Sequence, residues 1–350
     1  MDLHEFTPRP ALVTKTTRVE RPRYPVFDAH NHLGPEFGGN WISRPLPELL
    51  AALDQAGVTH LVDLDGGWGE HILQDHLARL APAGERFLLF GGVDWSQWPV
   101  HGDRFGEWAA ERLRAQKDMG ARGLKIWKPL GLHVRDQNGD RVAVDDARLD
   151  PLWATAGELG LPVLVHVADP VAFFQPLDHH NERWEELHRF PDWQFPSPPF
   201  PPFLEVVNAF ARVVERHPAT TFIGAHVGCY AENLAWVSDL LRRCPNLYVD
   251  ISARLGELGR QPYSARRFFL EHARRILMGI DMGASVEEYR LYYRFLETDD
   301  EYFNYNLGEV PGQGRWHVHG LYLPDDVLWQ VYQANARRLF FGEELSQPPL

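Results

Sequence analysis

Cysteine, lysine and long hydrophobic runs are all scarce in this sequence. Cys229 and Cys244 are its only cysteines, which is too few for a disulfide scaffold and favours a reducing compartment. The longest apolar runs, FLLFGGV and LPVLVHVA, are as long as strands and too short to span a membrane. The first residues lack the basic stretch and apolar core of a secretory signal. We therefore expect a soluble, cytoplasmic protein with no membrane partner.

Basic residues are outnumbered by acidic ones. The chain has 35 Lys and Arg against 48 Asp and Glu, a formal net charge of −13 at pH 7. Proteins that bind nucleic acid through its phosphates need a basic face, so this balance argues against a nucleic-acid partner. Apolar residues make up 44% of the 350, which allows a large buried core. Lysine is rare, yet Lys125 and Lys128 lie three positions apart.

Short apolar, β-branched runs alternate with amphipathic stretches along most of the chain. This rhythm predicts repeated strand–helix units around a parallel sheet. The predicted strands are 25–32, 59–65, 86–94, 122–128, 161–168, 220–227, 246–252 and 275–281. The predicted helices are 45–56, 104–119, 204–216, 231–243, 264–274 and 325–340, the last capped by Asp325 or Asp326.

Eight strands with intervening helices predict an α/β fold of the (β/α)₈ TIM-barrel type. A doubly wound open sheet is the alternative, but no glycine-rich dinucleotide turn follows the first strand. We expect a surface arm over 1–24, the barrel over 25–342 and a tail over 343–350. Extended aromatic insertions, 169–203 and 283–323, follow strands 5 and 8. They are expected to form a substrate lid or the contact of a homodimer.

The first predicted strand ends in the motif His30-Asn31-His32, preceded by Asp28. Side chains alternate along a strand, so Asp28 and the two histidines are expected on one face. Buried polar side chains need partners, and a metal ion satisfies two imidazoles at once. If only this motif is considered, the alternative is that both histidines lie in a turn and bind no metal.

Three further strands end in a histidine or an aspartate. His166 ends strand 5, His226 ends strand 6 and Asp281 ends strand 8. In a barrel the carboxyl ends of the strands meet at one mouth, so these side chains are expected to converge. Imidazoles together with a carboxylate suit Zn²⁺ or a similar divalent ion.

Taken together, these motifs resemble the amidohydrolase superfamily. More narrowly, they are similar to its mononuclear group, which includes aminocarboxymuconate-semialdehyde decarboxylase and the resorcylate decarboxylases. The resemblance covers roughly residues 25–342, including the closing helix around Asn335. It implies one divalent metal ion, Zn²⁺ first and Mn²⁺ as an alternative. It further implies that His30, His32, His166 and Asp281 hold this ion and that His226 and Asp281 carry the acid–base chemistry.

For other polar residues of the strands the sequence alone leaves two roles open. Asp28 is expected either to orient a ligand imidazole or to be satisfied inside the barrel. Lys125 and Trp127 should face the barrel, because Leu124 and Ile126 should face the helices. Lys125 is then a substrate contact or a buried ion-pair partner. Binuclear relatives carry a carboxylated lysine on strand 4, whereas the mononuclear group lacks it, so we expect one metal.

Arginine and lysine at the mouth favour a small anionic substrate. Arg254 follows strand 7 and is expected to bind a substrate carboxylate, or else to pair with Glu257 or the second insertion. Lys128 is expected to be a cation at the rim. Polar residues of the insertions are expected to be structural or to line the pocket: Glu182, Arg183, Glu186, Arg315, His317 and His319.

Three functions fit these residues. The first is hydrolysis, in which metal-activated water attacks a lactone, ester or amide carbonyl and Asp281 or His226 takes the proton. The second is non-oxidative decarboxylation, in which the same ligands are used and one of these two residues protonates the carbon that loses CO₂. The third is a metal-free barrel that acts as a binding protein, which would have no need of the ligand set.

Overall fold

A computed structural model of the chain describes residues 8–37, 39–308 and 312–345. Within these residues eight parallel strands form one sheet in sequence order, and each pairs with the next. The strands are β1 (Val26–Asn31), β2 (Val58–Asp63), β3 (Phe87–Gly91), β4 (Gly123–Ile126), β5 (Val163–Val165), β6 (Phe222–Gly224), β7 (Leu247–Asp250) and β8 (Ile276–Leu277).

Backbone hydrogen bonds join the two ends of this sheet. The Ala29 N–H donates to the Met278 carbonyl (2.8 Å), and the Asp281 N–H donates to the His30 carbonyl (3.0 Å). The sheet is therefore a nearly closed cylinder with helices between its strands, and the predicted TIM barrel is confirmed. None of the helices among the described residues is long and apolar enough to cross a membrane.

Helices follow the strands along the chain. They are α1 (Leu46–Ala56), α2 (Glu70–Leu80), α3 (Phe105–Met119), α4 (Asp150–Glu158), α5 (Trp184–Arg189), α6 (Phe203–Arg216), α7 (Leu234–Arg243), α8 (Leu255–Arg260), α9 (Pro262–His272), α10 (Val286–Glu297), α11 (Asp325–Trp329) and α12 (Asn335–Phe341). Four-residue helical turns occupy Trp98–His101, Pro129–Leu132 and Ala225–Gly228, and a π-helical segment, Gln330–Ala334, joins α11 to α12.

Six helical stretches are predicted from the sequence, and others are not. The unpredicted helices include α2, which carries many polar residues, α4, and α10, which lies inside the second insertion. The residue before α11 is Pro324, so Asp325 and Asp326 occupy the first turn and do not cap the helix as predicted. Acidic residues in a first turn still interact favourably with the helix dipole.

Alternating side chains of the strands build two layers of core. Those of Val62, Leu164 and Ile223 pack with one another inside the barrel, and Phe340 from α12 closes that cluster against Phe27. Residues such as Leu124 and Ile126 belong instead to the larger layer under the helices, as the sequence predicts. Apolar side chains therefore fill much of the interior, and the polar site lies at the carboxyl ends of the strands.

The two insertions contact each other. Arg315 of the second makes a two-pronged ion pair with Glu185 of the first (2.8–3.1 Å). Arg183 is buried and pairs both with Glu186 (2.8 Å) and with Glu257 of α8. These ion pairs connect the segments that follow β5, β7 and β8.

The chain before β1 packs against the end of the second insertion's helix α10. The Thr17 backbone N–H and hydroxyl both donate to the Asp300 carboxylate (2.6 and 2.7 Å), and Lys15 pairs with Asp299 (2.5 Å). Residues 1–7 of the predicted arm and 346–350 of the predicted tail lie outside the described residues.

Candidate metal centre

Imidazole and carboxylate groups from several strand ends come together at one end of the barrel. His30 and His32 lie at the end of β1, and Asp281 follows β8. Asp281 Oδ1 lies 3.0 Å from His32 Nε2 and 3.5 Å from His30 Nε2. The other oxygen, Asp281 Oδ2, lies 3.9 Å from Nε2 of His226 at the end of β6. Three buried imidazoles therefore surround one carboxylate.

His226 lies nearer the centre of this cluster than the family resemblance implies, and His166 lies at its edge. Potential ligand atoms of His30, His226 and Asp281 are all within 4.8 Å of one another. The His166 ring contacts the His226 ring edge to face, with centroids 4.4 Å apart. Which of His166 and His226 binds the ion and which transfers protons stays a prediction.

The donor set fits a divalent ion such as Zn²⁺. Imidazole nitrogens and carboxylate oxygens are the usual zinc ligands besides thiolates. The buried Nε2 of His166 lies 3.3 Å from Asp169 Oδ1, yet it has no hydrogen-bond partner among the described residues. Buried polar atoms rarely lack a partner, and a bound ion would provide one. Residues His30, His32, His166, His226 and Asp281 are therefore a chemically suitable cage.

Buried carboxylates fix the orientation of both histidines of β1. Asp250, the last residue of β7, accepts a hydrogen bond from His30 Nδ1 (2.9 Å). Asp65, just after β2, accepts one from His32 Nδ1 (2.7 Å). With Nδ1 protonated, each Nε2 presents its lone pair to the centre, which is the arrangement of metal-binding histidines. Neither carboxylate is predicted from the sequence, although each lies at or just after the end of a strand.

A second group of acidic and histidine residues lies behind Asp65. Asp63, Asp65 and His76 have potential ligand atoms within 4.8 Å of one another. Asp63 already accepts from His76 Nδ1 (2.6 Å), and the second oxygen of Asp65 accepts the backbone N–H groups of Leu33 and Gly34 (3.0 and 2.5 Å). These groups are satisfied by one another, so the cluster holds the loop that carries Asp65.

Ser252 links the histidines of β1 and β6. The Ser252 hydroxyl donates to Asp250 Oδ1 (2.6 Å) and lies 3.0 Å from Nδ1 of both His30 and His226. His226 Nδ1 also lies 2.9 Å from the Ser252 carbonyl. A carbonyl only accepts, so His226 carries its proton on Nδ1 and leaves Nε2 free to bind an ion or a proton.

Burial and neighbouring charges set the protonation of the central groups. Burial, together with the nearby Arg254 guanidinium, holds the pKa of His226 well below its usual value. Burial alone would raise the pKa of Asp281, but His30 and His32 outweigh it and hold that pKa well below its usual range. At neutral pH His226 is therefore uncharged and Asp281 is ionised.

Several strand ends at the site have strained backbones. His226, Ala253 and Asp281 have positive φ angles of 56°, 52° and 64°, and the β-branched Val227 has 60°. Such conformations cost about 1–3 kcal/mol each and persist where the surrounding structure enforces them, often at functional sites. The Asp281 and His226 N–H groups are fixed by bonds to the His30 carbonyl and to Asp250.

Asp28 does not orient an imidazole. Its carboxylate accepts hydrogen bonds from the Tyr289 hydroxyl (2.5 Å), the Asn31 amide (2.7 Å) and the His30 backbone N–H (3.0 Å). The pairing of β1 with β2 contains a bulge between Asp28 and Asn31. Asn31 lies three residues after Asp28 on β1, but their partners on β2 are only two residues apart. Such a bulge breaks the alternation of side chains, so Asp28 faces α10. Burial raises its pKa to about 7.

Lys125 and Trp127 extend from β4 towards the cluster. Lys125 is 1% exposed, and its Nζ lies 4.6 Å from the centre of the Trp127 ring without a hydrogen-bond partner among the described residues. Burial lowers the pKa of Lys125 to about 8. The Trp127 ring lies 5.1 Å from that of His32. Lys128 instead pairs with Asp169 (2.5 Å).

Arg254 has no ion-pair partner among the described residues. The expected alternative partner, Glu257, binds Arg183 instead, and the hydrogen bond described for the Arg254 guanidinium goes to the Ala253 carbonyl (2.8 Å). Arg254 is only 5% exposed, so a buried cation lies near His226 without a neutralising carboxylate within ion-pair distance.

The remaining insertion residues lie in structural contacts. Glu182 pairs with Arg260 (2.8 and 3.0 Å). His317 stacks on Tyr302 with centroids 4.5 Å apart, and His319 Nδ1 lies 3.3 Å from the Gly259 carbonyl. These contacts agree with a structural role for the second His-x-His motif.

Comparison with known proteins gives a family and a fold. The family model described as amidohydrolase matches residues 28–342. One similar solved structure is 2,6-dihydroxybenzoate decarboxylase from Rhizobium, with 17% identity and a TM-score of 0.53 over 91% of this chain and 98% of that one. Another is a zinc-bound amidohydrolase from Burkholderia multivorans, with 13% identity and a TM-score of 0.52 over 90% and 98%. No curated protein matches the chain significantly.

We expect Asp65→Asn and Asp250→Asn each to weaken zinc binding by about 10- to 100-fold, because each removes a carboxylate that orients a ligand imidazole. Competition with a chromogenic chelator measures this affinity, and circular dichroism checks the fold. Asp28→Asn is the matched control, since Asp28 contacts no imidazole ring. Equal affinity in all three variants and the wild type would contradict the assigned roles.

Lys125→Met is expected to stabilise the metal-free protein at pH 7. The pKa of Lys125 falls from 10.5 to about 8 on folding, and one pKa unit is about 1.4 kcal/mol, so the buried ammonium costs about 3 kcal/mol. Between these pKa values the unfolded chain binds more protons, so stability rises with pH and the advantage of the variant shrinks by pH 10.

Urea unfolding at pH 7 and pH 10 measures this difference. Lys128→Met is the matched control and should destabilise the protein, because it leaves Asp169 buried without its cation. A Lys125→Met variant that is less stable than the wild type at pH 7 would contradict a destabilising buried charge at Lys125.

Proposed function

This chain belongs to the amidohydrolase family, and we propose that it is a metal-dependent hydrolase of small carboxylate-bearing lactones, esters or amides. The family and the fold establish an enzyme of the hydrolase or carboxy-lyase kind; the reaction and the substrate are proposed. The observation that carries the proposal is the convergence of the His30, His32 and His226 Nε2 atoms on the Asp281 carboxylate, 3.0–3.9 Å away.

A bound divalent ion would supply Lewis acidity, which lowers the pKa of a water molecule and polarises a carbonyl. The protein groups would supply the proton transfers. His226 is uncharged with a free Nε2 lone pair, so it can accept the proton that the attacking water loses and return it to the leaving atom. Asp281 stays ionised beside it, which favours the protonated form of His226 during the reaction.

Two buried cations support an anionic substrate. Arg254 lacks a carboxylate partner within the described structure, and Lys125 lacks any hydrogen-bond partner there. A guanidinium fork binds a carboxylate through paired hydrogen bonds. A substrate carboxylate would therefore neutralise charge that the fold leaves uncompensated at the mouth.

Non-oxidative decarboxylation is the second candidate. The observation that favours it is the aromatic wall beside His32, where Trp127 and Phe37 lie 5.1 and 5.6 Å from the imidazole. An aromatic acid could stack there with its carboxylate near Arg254, and a proton that His226 Nε2 first takes up from water would replace the CO₂ on the ring carbon. The structurally similar Rhizobium protein is named as a decarboxylase of 2,6-dihydroxybenzoate.

One assay separates the two candidates. Zinc-loaded enzyme is incubated with a panel of aldonolactones, carboxylated esters and amides, and hydroxybenzoates. A pH-stat records acid release from lactones and esters, a ninhydrin assay records amine release from amides, and an alkaline trap records CO₂. Acid release from a lactone or ester, or amine release from an amide, without trapped CO₂ is the expected result. CO₂ from a hydroxybenzoate, with no hydrolysis across the panel, would replace the first candidate with the second.

Replacement of His166 and of His226 distinguishes metal binding from proton transfer. His166→Ala should remove most of the bound metal, because the ion loses a ligand and its geometry. His226→Asn should keep near-stoichiometric metal and lower kcat by about 100-fold or more, since it removes the acid–base group. Metal content by elemental analysis and turnover of the best panel substrate test both. Loss of metal from His226→Asn with retention in His166→Ala would reverse the assignment.

A further inference from the structure

The segments that follow β5, β6 and β7 enclose a cavity of about 590 Å³. This volume is within the usual range of small-molecule sites. The cavity walls come from residues within 171–182 of the first insertion, residues 230–233 after β6 and residues 257–261 of α8 and its end. None of these wall residues belongs to the metal cluster, so the cavity is a candidate for a binding site of its own.

The basic side chains around this cavity are already paired. Glu182 and Arg260 form a two-pronged ion pair, with 2.8 and 3.0 Å between nitrogen and oxygen. A further nitrogen of Arg260 donates to a backbone carbonyl of α8 (3.0 Å). Glu257 binds Arg183, which it shares with Glu186. An anionic ligand would therefore find no free guanidinium or ammonium group on the described walls.

Glu232 is the wall carboxylate that lacks a cation. No lysine or arginine of the described chain lies within ion-pair distance of it, and Arg254 acts on it only from farther away. Its Oε1 accepts the Val171 backbone N–H (2.8 Å), which holds the side chain between the segments after β5 and β6. Its Oε2 accepts no hydrogen bond from another described residue, and it is not an enclosed atom. This oxygen is therefore open to the cavity.

A second carboxylate increases the preference of this cavity for a cation. Glu257 is 2% exposed, and its Oε2 has no hydrogen-bond partner in the described structure. Burial and the repulsion from Glu257 raise the pKa of Glu232 above its ordinary value. Two carboxylates that repel each other in a partly buried site are unfavourable. A cation beside Glu232 would offset this repulsion through space, without contact with Glu257.

We propose that this cavity binds the primary ammonium group of a small organic cation, with Glu232 Oε2 accepting one of its hydrogens. A primary ammonium suits an open carboxylate oxygen because it combines a positive charge with N–H donors. Val171, Ala172 and Tyr230 give the cavity an apolar side that can contact a short carbon chain. The inference does not depend on the proposed function, since no residue of the metal cluster lines the cavity.

Small probes test the charge preference of the cavity. Butylammonium and butan-1-ol have the same carbon chain and differ in charge, and ligand-observed NMR with the metal-free protein gives each Kd. We expect butylammonium to bind about tenfold more tightly or better, because a hydrogen bond to a charged group exceeds a neutral one. Butyltrimethylammonium keeps the charge without N–H donors and should bind about fivefold more weakly than butylammonium. Butylammonium binding no tighter than that of either other probe would overturn the proposal.

Replacement of the proposed anchor locates the bound ammonium. Glu232→Gln keeps an acceptor for the Val171 N–H but removes the charge, so it should weaken butylammonium binding by about tenfold or more. Glu288→Gln is the matched control, because Glu288 is also partly buried without a cation nearby but lies on α10, outside the cavity. Circular dichroism checks the fold of both variants. Unchanged affinity in Glu232→Gln, or an equal loss in Glu288→Gln, would overturn the proposal.

A second variant reports on the same cavity from its rim. Glu182→Gln leaves Arg260 unpaired beside the cavity, so repulsion should weaken butylammonium binding by about threefold or more. The Glu182 side chain is 42% exposed, so this change should leave the fold intact. The same NMR titration measures the effect, and unchanged or tighter binding would contradict an ammonium bound between these walls.

Zinc separates this cavity from the metal cluster, whose Asp281 carboxylate could also attract a cation in the metal-free protein. We expect zinc loading to change the Kd of butylammonium by less than about threefold at physiological ionic strength, since charges outside the cavity are screened. Loss of butylammonium binding on zinc loading would place the ammonium at the cluster and overturn the inference. If the protein binds butylammonium through Glu232 but neither binds zinc nor turns over the panel, the proposed function fails and the ammonium site stands.

Discussion

Hydrogen bonds that the histidines of β1 donate to two buried carboxylates determine what this barrel can bind. Asp250 and Asp65 hold Nδ1 of His30 and His32 at 2.9 and 2.7 Å, so both rings present Nε2 to the same point. Asp65 lies just after β2, on one side of β1, and Asp250 lies on β7, which comes near β1 from the other side only because the sheet is closed. Barrel closure is therefore a condition for the site, because an open sheet would separate β7 from β1.

The same region stores unfavourable energy that the rest of the fold must offset. It contains strained backbone at His226 and Asp281 and the uncompensated cations Lys125 and Arg254. Buried charges and positive φ angles at non-glycine residues each lower stability. Two apolar layers on either side of the strands supply the opposing stabilisation. The concentration of unfavourable groups at one mouth is the pattern expected of a site that is completed by ligands.

Sequence patterns predict the barrel and most of the central residues. Eight apolar runs gave the strand count, and the polar residues that end those runs include His30, His32 and Asp281. The orientation of the Asp28 side chain could not be predicted, because the bulge in β1 places it on the opposite face of the strand from His30. Asp65 and Asp250 also end strands, but a pattern alone does not say which carboxylate meets which imidazole. Contacts such as Arg183 with Glu257, 74 positions apart, depend on how the insertions pack.

The most direct test of the central claim is the position of zinc in crystals of the loaded protein, located by anomalous diffraction at the zinc edge. We expect one full site within about 2.0–2.2 Å of His30 Nε2, His32 Nε2 and an Asp281 oxygen, with His166 or His226 as a further ligand. Zinc bound elsewhere, or absent from this mouth at stoichiometric loading, would contradict a metal-dependent enzyme.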